Sequence, residues 1–226
     1  MRREKPCLQA RHGLLALGLM LTAQTSKVFF STALSPLAIL VPPTLLISQG
    51  LGSTSSLAWL AVGSLLWQIP IHEIDESRLI NDCEVSAVVA FQGGRMRSRA
   101  QLLQMAFLLP FGALLGEWFF LRGRSIPNSS DDLVYEALIL GGLLMLAVLL
   151  IPILETTFGL ITKARLMELA DQERPLLRRL SSEAPGTFEH TLMICGLAEE
   201  GARSIGADVD LIRTGALYHD VGKLHA

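Results

Sequence analysis

From Ala137 to Leu154 the chain runs eighteen residues without a charged side chain, built almost wholly of Leu, Ile, Val, Ala, Gly and Met with a single proline at position 152. Coiled as a helix, such a run rises about 27 Å at 1.5 Å per residue, close to the roughly 30 Å hydrocarbon layer of a bilayer. A helix at the surface of a soluble protein keeps one polar face, and this run has none. In lipid the backbone must satisfy its own hydrogen bonds, which a continuous helix does and an open strand cannot. The chain is therefore constrained to a helical membrane fold. Its composition agrees: half of the residues are hydrophobic and only 18% are charged, more apolar than a soluble domain needs.

Further apolar stretches extend the reading to about six spans within residues 1–155, an all-α polytopic bundle. The 137–154 run lies in a span from Leu133 to Leu154, and Leu102 to Leu121 forms another. Upstream lie Gly13 to Thr32, Ala33 to Gln49 with a kink at Pro42-Pro43, and Leu57 to Ile71, whose Trp59 and Trp67 suit the membrane interfaces. Leu79 to Gly93 is a weaker stretch, and its Asp82 and Glu84 are expected in a solvated loop, after the polar break His72 to Glu76. Arg2, Arg3, Lys5 and Arg11 before an apolar run resemble the start of a signal peptide. The second apolar stretch beyond Ala23 favours a retained helix instead, with Lys27 facing protein or snorkelling. Glu117 and Glu136 each fall near a candidate membrane surface.

Basic residues set the orientation. Arg95, Arg97 and Arg99 crowd one loop, and Lys163, Arg165, Arg174, Arg178 and Arg179 follow the last span, whereas Arg122 and Arg124 are offset by Asp131 and Asp132. The positive-inside bias then places residues 94–100 and everything after Thr156 in the cytoplasm, across a cell inner membrane. Leu160, Ala164, Met167 and Asp171 suggest a helix leaving the membrane continuous with the last span, with Pro175 starting the next; residues 156–180 form this connector. A net charge of -2 and no basic stripe exclude a nucleic-acid partner. Cys7, Cys83 and Cys195 show neither metal nor redox spacing and read as reduced, packed thiols.

The polar chemistry gathers in residues 181–226. Thr187 can cap a helix whose face His190, Ile194, Leu197 reads as one buried stripe ending at Gly206. Asp208 can cap a second, with Ile212, Ala216 and His219 along one face, Gly215 permitting close approach, and Gly222 as terminator. Two imidazoles and the Asp220 carboxylate then share a seam. Such a donor set suits divalent iron, manganese or zinc better than a magnesium cage. Two ions bridged by Asp220 could activate water for phosphoester hydrolysis, with Lys223 against a phosphate oxygen. The alternative is two core histidines and a surface Asp.

The segments Pro175 to Leu180, Glu183 to His190, and Gly215-Ala216-Leu217-Tyr218-His219-Asp220-Val221-Gly222-Lys223 closely resemble the bacterial seven-transmembrane HD-domain phosphohydrolases. The resemblance implies a membrane-anchored, metal-dependent phosphodiesterase that opens a cyclic dinucleotide, cyclic di-AMP above cyclic di-GMP. It implies two divalent ions held by His190, His219 and Asp220, with Asp220 bridging them; the residues themselves add Lys223 to Asp220 as a candidate for catalysis. In that family further ligands lie well downstream of the HD pair, so residues 181–226 are expected to be the first part of an HD domain. The chain is then expected to be a fragment, inactive alone, whose site a homo-oligomer or a second polypeptide could complete. The competing reading is a non-catalytic membrane sensor or transporter-like protein with a vestigial HD tail.

Overall fold

The computed structural model describes residues 6–30, 35–67, 76–122 and 130–225. Among them every regular element is helical. The described residues separate into two compact units, one up to Leu160 and one from Ile161 onward.

The first unit holds six helices: α1 (Pro6–Phe30), α2 (Pro36–Leu51), α3 (Ser53–Trp67), α4 (Glu76–Gly93), α5 (Arg99–Arg122) and α6 (Ser130–Phe158). Three contain windows long and apolar enough to cross a membrane, Ala10–Phe30 in α1, Arg99–Gly116 in α5 and Val134–Phe158 in α6. The polar break at 72–76 falls almost wholly outside the described residues, as do Arg124 and the expected span ends at Thr32 and Ile71. The side chains of Cys7, Glu117, Arg122, Asp131 and Asp132 are outside them too. Glu136 is half-buried near the start of α6.

At the centre is α2, the shorter apolar helix. It continues through Pro42 and Pro43, and its residues from Leu37 to Ile47 are almost all buried. A helix that is apolar on every side is stable only when wrapped on every side. One flank of α2 meets Val89, Leu102, Leu140 and Leu144, and the other meets Trp59, Leu60 and Trp67. The two tryptophans are thus buried in the unit, and the Trp59 indole donates to the Ala16 carbonyl at 3.0 Å. Residues of α1 and α2 pack against these rings.

Asp82 also departs from expectation. It lies in α4, 1% exposed, and its Oδ2 accepts from the Leu37 amide at 3.2 Å. Leu37 lies in the first turn of α2, where amides lack helical acceptors and the helix dipole favours an anion. Asp82 is a cap supplied from another helix, whereas Glu84 is exposed. Lys27 does the converse. It is buried facing protein, and its Nζ donates at 2.8 Å to the carbonyl of Trp67, the last residue of α3. The Arg99 guanidinium holds the buried Glu155 carboxylate at 3.1 Å, tying the start of α5 to the end of α6.

In the second unit α7 (Lys163–Leu169), α8 (Pro175–Glu183), α9 (Pro185–Ser204) and α10 (Val209–Tyr218) precede a short 3-10 turn, Val221–His225. The connector is not one helix continuous with the span: α6 stops at Phe158, Gly159 takes a left-handed φ of 67°, and Thr162 caps α7. Buried Ala164 and Leu166 replace the expected stripe through Met167. Pro175 does open α8. Leu177, Leu217, Cys195 and Ala170 form the small core.

Candidate metal centre

Helix α9 starts at Pro185, with Ala184 as its N-cap and no side-chain cap; Thr187 lies inside the helix. Its buried positions are Thr191, Cys195 and Ala202. The face His190, Ile194, Leu197 is therefore turned about one residue away from the core. His190 is exposed, and so is Leu197, at 72%. Helix α10 is capped by Asp208, whose carboxylate accepts from the Leu211 amide at 3.1 Å. It buries Asp210, Thr214 and Leu217, leaving Ile212 and Ala216 half-buried and His219 exposed. A Cβ on Gly215 would meet nothing within 4 Å, so no neighbour approaches there. Gly206 closes α9 with a φ of 66°, whereas Gly222 sits within the 3-10 turn.

Two hydroxyls that sequence patterns do not reveal hold α10 in place. Thr214 donates to the Leu166 carbonyl at 3.2 Å, and the Tyr218 phenol donates to Leu169 at 2.9 Å. Both acceptors are carbonyls in the last turn of α7, where Leu166 also accepts from the Ala170 amide at 2.9 Å and the Leu169 carbonyl lies beyond the reach of its own helix's amides. These bonds span 48 and 49 residues of chain, so no local pattern signals them.

This scaffold brings His190, His219 and Asp220 together: one donor atom from each lies within 4.8 Å of the others. The two imidazole centroids are 6.1 Å apart. The His219 Nδ1 stands 2.7 Å from the Ala216 carbonyl, which can only accept, so Nδ1 carries the proton. In the neutral ring the Nε2 lone pair then faces the Asp220 Oδ2 at 3.4 Å. That approach is favourable when a cation is shared between the two atoms or the ring is protonated, and the Lys223 ammonium also lies on the same Oδ2. Metal-binding histidines use this arrangement, one nitrogen anchored to a carbonyl and the other free for the ion. At bond lengths of about 2.0–2.2 Å, opposed ligands stand up to about 4.3 Å apart, a small side-chain adjustment from what is observed. The group fits a divalent cation.

The Lys223 Nζ donates to the same Asp220 Oδ2 at 2.6 Å. That bond holds the Asp220 carboxyl below its ordinary value against the opposing effect of desolvation, and His219 and His190 pull it further down. Asp220 is thus ionised and available as a ligand. Nearby, Cys195 is a free thiol packed in the core, bonded to the Arg213 carbonyl at 3.3 Å and pushed up by burial.

A helical unit with membrane-length apolar helices, followed by a separate helical unit bearing a His and Asp group that could hold a metal ion, is the pattern of a membrane protein with an HD domain. Residues 1–162 match the family described as 7TM receptor with intracellular HD hydrolase, residues 187–226 match the HD domain, and the chain belongs to that 7TM–HD family. Among curated proteins it is 35% identical over 192 residues to an uncharacterized protein of Synechocystis sp., covering 81% of this chain and 22% of that one. It is 49% identical over 82 residues to the cyclic-di-AMP phosphodiesterase PgpH of Listeria monocytogenes, 36% of this chain and 11% of the relative. Against the protein of the same name from Bacillus subtilis the figures are 34% over 137 residues, 58% and 19%. The chain thus spans about a fifth or less of the length of these relatives. No solved structure matches it.

Proposed function

We propose that this chain is the membrane anchor and leading part of the HD domain of a metal-dependent phosphohydrolase acting on a cyclic dinucleotide, cyclic di-AMP. The observation that carries this reading is the convergence of His190, His219 and Asp220 donors within 4.8 Å, with the His219 proton anchored on Ala216. The names of the Listeria and Bacillus relatives support the substrate. His190 through a ring nitrogen, His219 through Nε2 and Asp220 through a carboxylate oxygen are the proposed ligands of divalent manganese or iron. When bound, such ions lower the pKa of water and neutralise a phosphate oxygen. Asp220 offers a second oxygen for a second ion. Lys223 now stabilises Asp220; swung from it, the ammonium would meet the phosphodiester as a point charge.

The accompanying topology has six crossings, with the first and last ends cytoplasmic at the inner membrane. It rests on the basic turn 94–100 and the basic run after α6. Residues 156–180 connect the anchor to the HD segment beginning at 181.

The test uses a chimera in which the stretch of this chain matched over 82 residues replaces its counterpart in the Listeria phosphodiesterase. With manganese it should convert cyclic di-AMP to the linear dinucleotide, and the single change His219→Ala and the double change with His190→Ala should abolish turnover to the same level and lower bound metal. Residues acting as one unit give such non-additivity. Normal metal content in both variants would return the histidines to a structural role.

A further inference from the structure

Where α4 turns into α5, the membrane unit has a cleft of about 730 Å³, within the size range of small-molecule sites. Val88, Phe91, Met105 and Leu108 form its apolar wall, while Gln92, Arg95, Gln101 and Gln104 gather toward the turn. From Gln101 to Leu109 the α5 wall runs eight residues, about 12 Å at the helical rise. The cleft therefore changes from cationic and amide-lined to purely apolar over the depth at which a lipid passes from headgroup to acyl chain.

Arg95 distinguishes this cleft from a lipid-facing dent. Its guanidinium lies 3.8 Å from the centre of the Phe91 ring, and no described carboxylate pairs with it. Its neighbour in the same turn, Arg99, is already committed to Glu155. A guanidinium resting on an aromatic face keeps its planar fork of donors directed outward, the geometry that takes two oxygens of a phosphate at once. The amides of Gln92 and Gln104, both exposed, add neutral donors to the lining of the same cleft. Zwitterionic headgroups would bring an ammonium to an arginine that has no anion to share.

We infer that this cleft is a binding site for one anionic phospholipid, its phosphodiester on Arg95 with Gln92 and Gln104 and an acyl chain along Val88, Phe91, Met105 and Leu108. The site is separate from the His and Asp group and independent of its chemistry. A single basic contact at a membrane surface contributes about fivefold in affinity for an anionic lipid, and a charge-assisted pair in a cleft somewhat more.

The experiment is native mass spectrometry of the full chain in neutral detergent, titrated with phosphatidylglycerol or with phosphatidylcholine of identical chains. Phosphatidylglycerol should be retained as one molecule per chain with at least a fivefold preference. Arg95→Gln should erase that preference, Arg97→Gln should leave it, and Val88→Trp, which fills the apolar wall, should weaken retention of both lipids. Equal retention of the two lipids by the unaltered chain, a preference that survives Arg95→Gln, or an equal loss in Arg97→Gln would overturn the assignment. Competition of inorganic phosphate with phosphatidylglycerol at similar concentration would replace the lipid by a free phosphate and overturn it too. The thermal midpoint of each variant, measured by tryptophan fluorescence, separates loss of binding from loss of fold.

Discussion

Two sets of charged and titratable residues, one in each unit, are held in opposite ways. In the membrane unit Lys27, Asp82 and Glu155 are all buried, and each is bonded to a helix end or to an arginine at a helix start. In the second unit His190, His219 and Lys223 are exposed, and the core is made of Leu177, Leu217, Cys195 and Ala170. Lipid explains the first pattern. Without water to solvate it, an ionised group inside a bundle persists only when another part of the protein replaces its hydration, so its place is fixed by structure. Water explains the second, because a solvated imidazole can leave its shell for an ion without undoing the fold. The carboxylate of Asp82 is architectural, whereas that of Asp220 is available for chemistry.

The strongest way to break this contrast is Asp82→Ala. It leaves the Leu37 amide without its acceptor and removes an anion from a helix start, and a buried bond to a charged group contributes about 1.5–3 kcal/mol. We expect a loss of about 3 kcal/mol, read as a lowered thermal midpoint in detergent, with Asp82→Asn recovering most of it through its remaining carbonyl acceptor. A loss below about 0.5 kcal/mol would show that Asp82 is not architectural. Glu155→Ala should cost less, about 1–2 kcal/mol, because the Arg99 side chain left behind is 31% exposed and regains water. Its readout is protease cleavage near residues 155–162, which should accelerate, while Arg99→Ala should have a similar effect and the double change should add little.

For the second unit the contrast requires the reverse. His219→Ala should leave the thermal midpoint within about 0.5 kcal/mol of the unaltered protein, since the ring is exposed, yet lower manganese affinity by at least tenfold. A large stability loss with unchanged metal affinity would make His219 a structural residue like Asp82.

The contrast also explains what could be read from sequence. Burial in lipid leaves a mark in composition, so the 137–154 run located α6, and the adjacent His219 and Asp220 with His190 upstream marked the cluster. What stayed hidden depends on partners distant in the chain. Asp82 reads as a loop carboxylate because the amide it satisfies is 45 residues earlier, and the hydroxyls of Thr214 and Tyr218 find α7 across nearly fifty. Nothing local announces the bond of the Trp59 indole to the Ala16 carbonyl either. The break at Gly159 was obscured because the apolar pattern runs on through Leu160 while the backbone turns left-handed.

The smallest expected effect concerns the rotation of α9. The spacing His190, Ile194, Leu197 matches a helical stripe as well as Thr191, Cys195, Ala202 does, and periodicity alone cannot choose between registers one residue apart. The isoleucine and leucine make the first set look the more apolar. If Leu197 lay in the core, Leu197→Ser would remove a fully buried side chain and leave a hydroxyl there, a cost of several kcal/mol. At 72% exposure it has little apolar area to lose, so the expected change is within about 0.5 kcal/mol. Cys195→Ser, by contrast, puts a more polar group in the core and should cost about 1–2 kcal/mol. Hydrogen exchange of the α9 amides in the full chain reads both: protection unchanged in the first and reduced in the second is the expected pair. Loss of protection in Leu197→Ser would place that face against a partner, and His190 with it, turning the exposed register of the metal cluster into a buried one.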